Sequence, residues 1–169
     1  TVVLAGVGVL ISALSITSIG FRLSTAIVNL SGGTIFILLG LVMIVSIFLG
    51  MGMPTVAAYL LVITLVAPAM VEVGFADITA HFFVFYFAIL ATITPPVALV
   101  CAVTCKIADE DFLPVALTSA KLGLPLFLIP FIFAFNESLL TLEGWTTVKD
   151  MFTTAVAMVL IVFAIHGFP

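Results

Sequence analysis

The sequence predicts an all-α integral membrane protein of about six hydrophobic segments, and three observations predict it. Of its 169 residues, 64% are apolar and 7% charged, against about 45–50% and about 25% in a soluble domain. Mean hydropathy is +1.52. The apolar residues come in long runs, such as 35–49 and 82–91, without the alternation of a barrel strand that keeps one face on a wet interior. In lipid the helix is then the solution, because it pairs every backbone N–H and C=O within its own segment. At about 20 residues per crossing, six spans and their connections fill the chain.

In order, residues 2–18 form the first span and Arg22 follows it. Residues 24–33 read as a short mixed connection ending in Ser31-Gly32-Gly33, a turn signal. The second run, 34–49, ends at Gly50-Met51-Gly52-Met53-Pro54-Thr55. The third, 56–73, stops at Gly74, well suited to the position just past a helix end, and Asp77 is placed to cap a helix beginning near Ile78. That helix carries the aromatic run 81–87, breaks at Thr94-Pro95-Pro96 and resumes over 97–107. Residues 108–121, with Asp109, Glu110 and Asp111 ahead of a mildly amphipathic 113–122, suit a membrane surface. Residues 124–135 make a fifth span, kinkable at Pro125 and Pro130. A polar loop with Trp145, 136–150, leads to the sixth span, 151–168.

Several function classes are disfavoured. A net charge of −4 with four scattered basic residues does not suit nucleic acid, which requires clustered Lys and Arg. No Walker A pattern, Gly-x-Ser-x-Gly or His-Glu-x-x-His occurs, which argues against a nucleotide-driven pump and against an enzyme. Cys101 and Cys105, four apart on an apolar helix, read as two small packing residues. Arg22 and Lys149 fall on one side by counting crossings, Lys106 and Lys121 on the other, so the positive-inside rule gives no orientation. The chain starts at Thr1 without an initiator Met, and a piece of a longer protein is expected.

The two interruptions carry the chemistry. Proline removes the hydrogen bond to the carbonyl four residues earlier. Pro54 therefore frees the Gly50 carbonyl, with Gly50 and Gly52 adding backbone freedom, and Pro95 and Pro96 are expected to free the carbonyls of Ala91 and Thr92. Thr55 follows Pro54, and Thr94 precedes Pro95. Freed carbonyls and threonine hydroxyls make an all-oxygen surrounding that suits a hard cation such as sodium. Each resumed helix also brings the positive end of its dipole to the gap, which suits an anionic group. Proton coupling needs a group that titrates inside the membrane, and neither break holds one. His81, close to a helix end, reads as a capping or packing residue. Pro68, Pro125 and Pro130 read as simple kinks.

The ordered set GMGMPT, AAY, AP, AHFFVFYF and ITPPVAL, continuous over 50–99, and LTSAKLGLPLFLIPFIFAFN over 117–136 resemble the large membrane subunit of the tripartite ATP-independent periplasmic (TRAP) transporters. The likeness is greatest to the fused permeases that work with TAXI-type binding proteins. The resemblance implies sodium symport of small, carboxylate-bearing solutes delivered by a periplasmic binding protein, in a bacterial inner membrane. It implies an elevator movement of a fold built from two inverted repeats, of which this chain holds one. On that pattern, 1–33 is a scaffold helix and connection, and 34–73 a re-entrant helical hairpin. The discontinuous helix is 78–107, the interfacial segment 108–123, and the C-terminal membrane helices 124–169. Substrate and ion would meet Gly50, Gly52, Met53, Pro54, Thr55, Ala91, Thr92, Thr94, Pro95 and Pro96, with sodium on Gly50, Thr55, Ala91, Thr92 and Thr94. The partners implied are the N-terminal remainder of the permease and a small membrane subunit, fused or separate. Many relatives carry an acidic residue just after the Gly-Met of the tip, where this chain has Pro54-Thr55, so the solute stays open. The alternative is a channel or scaffold whose breaks are packing kinks, although no repeated polar ring marks a filter.

Overall fold

The computed structural model describes residues 2–136, 138–141 and 144–167; Thr1, Phe168 and Pro169 lie outside them. Every regular element is a helix, and no strand occurs among the described residues. Helix α1 (Val2–Ile16) meets α2 (Ile19–Ser31) at a 69° bend, where Ser18 takes a left-handed φ of 53°. The stretch 24–31, expected as a connection, is instead the body of α2. Its polar residues are used for packing: Ser24 is buried and its Oγ donates to the Leu65 carbonyl at 3.0 Å.

Helix α3 (Ile35–Gly50) and α4 (Thr55–Glu72) pack on each other across the reversal 51–54, forming a helical hairpin. Gly74, at φ 106°, follows the end of α4 in the left-handed conformation that closes many helices. Helix α5 (Asp77–Leu90) then begins one residue earlier than expected, with Ala76 at the cap position. Asp77 therefore lies inside the first turn, where a carboxylate still favours the helix dipole. After an irregular stretch, 91–98, the chain resumes as α6 (Leu99–Ala108), followed by α7 (Phe112–Gly123), a 3-10 segment (Leu124–Leu128) and α8 (Ile129–Phe135). These last three run on as one 24-residue unit, Phe112–Phe135, so the division expected at 123/124 is absent. Gly123 and Pro125 tighten the helix there rather than end it. A short α9 (Ser138–Thr141) precedes α10 (Trp145–His166), which starts six residues ahead of the expected span.

Among the described residues three helices are long and apolar enough to cross a membrane, within Thr55–Glu72, Phe112–Phe135 and Thr147–Ile165, or four if bent α1–α2 is one span. Helices of spanning length are thus fewer than the six apolar segments, because the Gly and Pro breaks cut the runs into shorter helices. At 16, 14 and 10 residues, α3, α5 and α6 reach about 24, 21 and 15 Å, short of the roughly 30 Å hydrocarbon core.

The core lies between α3, α4 and α5, around Leu38, Leu39, Val42, Val62, Val66, Phe83 and Phe87. From the 3-10 segment and α8, Phe127 and Phe131 pack against it. The rings of Phe83 and Phe87 stand 4.9 Å apart and Phe131 lies 5.4 Å from Phe83, all near edge-on, the arrangement aromatic quadrupoles favour. A smaller cluster of Ala98, Cys101 and Ala116 joins α6 to α7. Helix α10 stands apart, with Phe152, Val159 and Leu160 more than half exposed.

Candidate functional site

The two interruptions meet. Gly50, at the end of α3, is buried, and a Cβ placed on it would lie 3.0 Å from Ala91 Cβ and 3.2 Å from the Ala88 carbonyl oxygen. Gly50 has helical geometry, so its use is steric rather than conformational: it lets α3 close on the end of α5. Conformational freedom matters at Gly52, whose φ of 75° is readily available only to glycine. A Cβ there would lie 3.6 Å from Val97 of the second break. The tip and the break thus touch at both glycines. Met51 and Met53 turn back onto the main core, while Gly52, Pro54 and Thr55 are exposed, as are Pro96 and Val97.

Hydrogen bonding at the second break differs from the sequence expectation. Helix α5 has already ended at Leu90, five residues before the first of the two prolines, so their missing N–H groups do not orphan helix carbonyls. The Ala91 carbonyl accepts from Thr94 N at 3.4 Å, and the Thr92 carbonyl from Val100 N at 3.1 Å. Both retain a second lone pair. The hydroxyls of Thr92 and Thr94 donate to the carbonyls of Ile89 and Leu90, each at 2.7 Å. This bonding closes the last turn of α5 and turns each threonine oxygen into an acceptor with lone pairs to spare. The Pro95–Pro96 peptide is cis, and Ala98 enters α6 with φ 34°.

At the first break the Gly50 carbonyl is free as expected, as one of the unpaired carbonyls at the end of α3. Among the described residues no hydrogen bond reaches the Gly50 carbonyl, and the first backbone bond into α4 is Ala58 N to Pro54 O at 3.0 Å. The N–H groups of Thr55, Val56 and Ala57 are the unpaired first-turn donors of a helix. The two resumed helices are unequal: the Val100 N–H of α6 is spent on Thr92, so the anion-attracting end is that of α4. With no Asp, Glu, Lys, Arg or His in either break, the site is neutral and lined by oxygen and N–H dipoles. That donor set suits a weakly held monovalent cation and an oxyanion of a small solute.

Three features escaped the sequence reading. Ser46, one turn before Gly50, is fully buried and its Oγ has no partner. Pro68 is more than a kink: it withdraws the usual donor from the Thr64 carbonyl, and α2 closes on that oxygen, 3.1 Å from a Cβ placed on Gly20. His81 is not a cap, and its Nδ1 is bonded to the Tyr59 hydroxyl at 3.0 Å. Only tertiary pairing identifies such partners; the sequence carried no signal for them.

A helical hairpin seated against a broken helix, in a chain of lipid-suited segments, is the construction of a membrane protein. Residues 1–148 match the family described as "Tripartite ATP-independent periplasmic transporter, DctM component". The chain belongs to that family, the large permease component of the TRAP transporters. No curated protein and no solved structure matches it. Membership places the protein in a membrane as a multi-pass transporter component and implies a periplasmic binding-protein partner.

Proposed function

We propose that the chain belongs to a sodium symporter that imports a small, carboxylate-containing solute across a bacterial inner membrane, with the hairpin tip and the α5–α6 break as its half of the binding site. The observation that supports this most directly is the contact between the two breaks at Gly50 and Gly52. In this reading the Gly50 carbonyl and the hydroxyls of Thr55, Thr92 and Thr94 contribute to one neutral, oxygen-rich region. Sodium would take ligands from Gly50, Thr55, Ala91, Thr92 and Thr94. The carboxylate would lie at the first turn of α4, against the N–H groups of Thr55, Val56 and Ala57, where the helix dipole favours negative charge. Gly52, Met53, Pro54, Pro95 and Pro96 shape the backbone around both.

The partners in this reading are a TAXI-type binding protein, the N-terminal remainder of the permease and a small membrane subunit, fused or separate. Cation and carboxylate neutralise each other in a region that offers no countercharge of its own. Binding of one then favours binding of the other, which is the physical basis of symport. The test is solute uptake by the complete permease in proteoliposomes, with and without a sodium gradient, in the presence of candidate binding proteins. Uptake that needs both sodium and one binding protein is expected. Equal uptake in sodium and in choline buffer would overturn the assignment of the ion.

A further inference from the structure

The 24-residue unit Phe112–Phe135 carries a lysine well inside it. Lys121 stands nine residues beyond Phe112, about 14 Å along the axis, and the acidic run Asp109-Glu110-Asp111 sets the water edge just before that helix. Its depth is therefore near the middle of a hydrocarbon core roughly 30 Å thick. Packing gives the same level: a Cβ placed on Gly123, two residues on, would lie 3.0 Å from Ile93 Cδ1 of the second break. A lysine near a helix end lifts its ammonium to the interface on its apolar stem; from this depth the stem is too short. Among the described residues Lys121 has no carboxylate or other hydrogen-bonding partner. Charged side chains inside a membrane face protein or water and are paired, so lipid does not suit this face. Its shape agrees. Pro114, Thr118 and Lys121 follow one another at helical spacing on one side of α7. Pro114 and Thr118, with Thr104 of α6, Ser119 and Leu122, line an open groove of about 490 Å³. The hydroxyls of Thr118 and Ser119 make no hydrogen bond among the described residues. Small and hydroxyl-bearing residues let a neighbouring membrane helix approach closely and bond across.

We propose that this groove seats a membrane helix from the N-terminal remainder of the permease, and that the helix brings an Asp or Glu at mid-depth to pair with Lys121. The inference rests on the reading that the remainder completes the binding site of which this chain supplies half. The level of Lys121 beside the second break favours that occupant, since whatever covers the lysine there borders the half-site. A second copy of this chain does not fit. Its described carboxylates lie at or near helix ends: Glu72 closes α4, Asp77 opens α5, Asp109, Glu110 and Asp111 join α6 to α7, and Asp150 is five residues into α10. The solute at the tip does not fit either. Gly123 is the residue that faces the break, and at 3.6 residues per turn Lys121, two positions earlier, stands on the far side of α7. Removing one partner of a buried ion pair leaves the other charge uncompensated and destabilises strongly, whereas removing both does not.

The experiment puts the photo-cross-linking residue p-benzoylphenylalanine in place of Lys121, and separately of Thr118, in the complete permease in membranes, and maps the captured peptides by mass spectrometry. Both positions are expected to capture one apolar segment of the N-terminal remainder that contains an Asp or Glu. Lys121→Met should then lower the melting temperature of the purified permease by about 5 °C or more, and Lys121→Arg should keep it. Replacing the captured carboxylate by Leu in the Lys121→Met background should recover most of the loss, which a merely structural lysine would not allow. Cross-links to lipid alone, to a small membrane subunit or to a second copy overturn the proposal, as does capture of nothing at either position. A Lys121→Met variant that melts like wild type but needs more solute for half-maximal uptake overturns it in favour of the solute's own carboxylate. Wild-type uptake indifferent to sodium overturns the symport reading alone, because neither the cross-link nor the melting temperature depends on the coupling ion.

Discussion

In the proposed site Thr94 has two tasks in one side chain. Its hydroxyl closes the end of α5 by donating to the Leu90 carbonyl at 2.7 Å, and the oxygen's remaining lone pairs point away from that bond. Thr94→Val keeps the shape and removes both, so the sodium concentration for half-maximal uptake should rise about tenfold, equivalent to one charge-assisted hydrogen bond. Thr94→Ser should restore most of the loss. Unchanged sodium activation in the valine variant would exclude Thr94 as a ligand. Ser46 gives the opposite expectation: a hydroxyl that is fully buried and unpartnered costs about 1–3 kcal/mol. Ser46→Ala should raise the melting temperature of the purified permease without altering uptake, and a lower melting temperature would mean that the hydroxyl is bonded after all. The sequence marked Thr55 and Thr94 through their neighbouring prolines. It could not mark Ser46, whose meaning depends on which helices enclose it.

Between elements, a few small residues set the distances. Gly50→Val would push branched carbons into Ala91 Cβ and the Ala88 carbonyl, already 3.0 and 3.2 Å from an added Cβ. Overpacking of this kind costs about 1–3 kcal/mol. The expected outcome is a lower melting temperature and loss of uptake, while Gly50→Ala combined with Ala91→Gly should recover part of both. Ser24→Ala leaves the Leu65 carbonyl without its 3.0 Å donor and should destabilise α2 against α4 by about 1 kcal/mol, read as a lower melting temperature. Helix positions were legible because Gly-Met-Gly-Met-Pro-Thr and Thr-Pro-Pro interrupt otherwise continuous apolar runs. What the runs concealed was continuity. The 108–123 stretch has enough polar residues to suggest a surface helix, yet it flows into α8 because Gly123 and Pro125 are accommodated by a 3-10 turn. Residues 24–31 likewise look like a connection until Ser24 is seen to satisfy a carbonyl of α4.

For the whole molecule, hydropathy identified the lipid environment and the all-helical class, since 64% apolar residues leave little else. The number of true crossings was not legible, because a broken or re-entrant helix has the composition of a span without its length. Deleting α10, whose hydrophobic residues are largely exposed, should leave the α3–α5 core intact: the pattern of slow amide exchange over 35–90 in detergent should be unchanged. Faster exchange throughout that core would show that α10 supports it. The closeness at Gly50 also bears on traffic. With α3 and α5 in contact there, nothing the size of a solute can slip between the hairpin and the broken helix on that side. Thr55 and Pro96 are uncovered, and in the proposed importer a solute would meet the site from there, with the two breaks held together by the contact at Gly50.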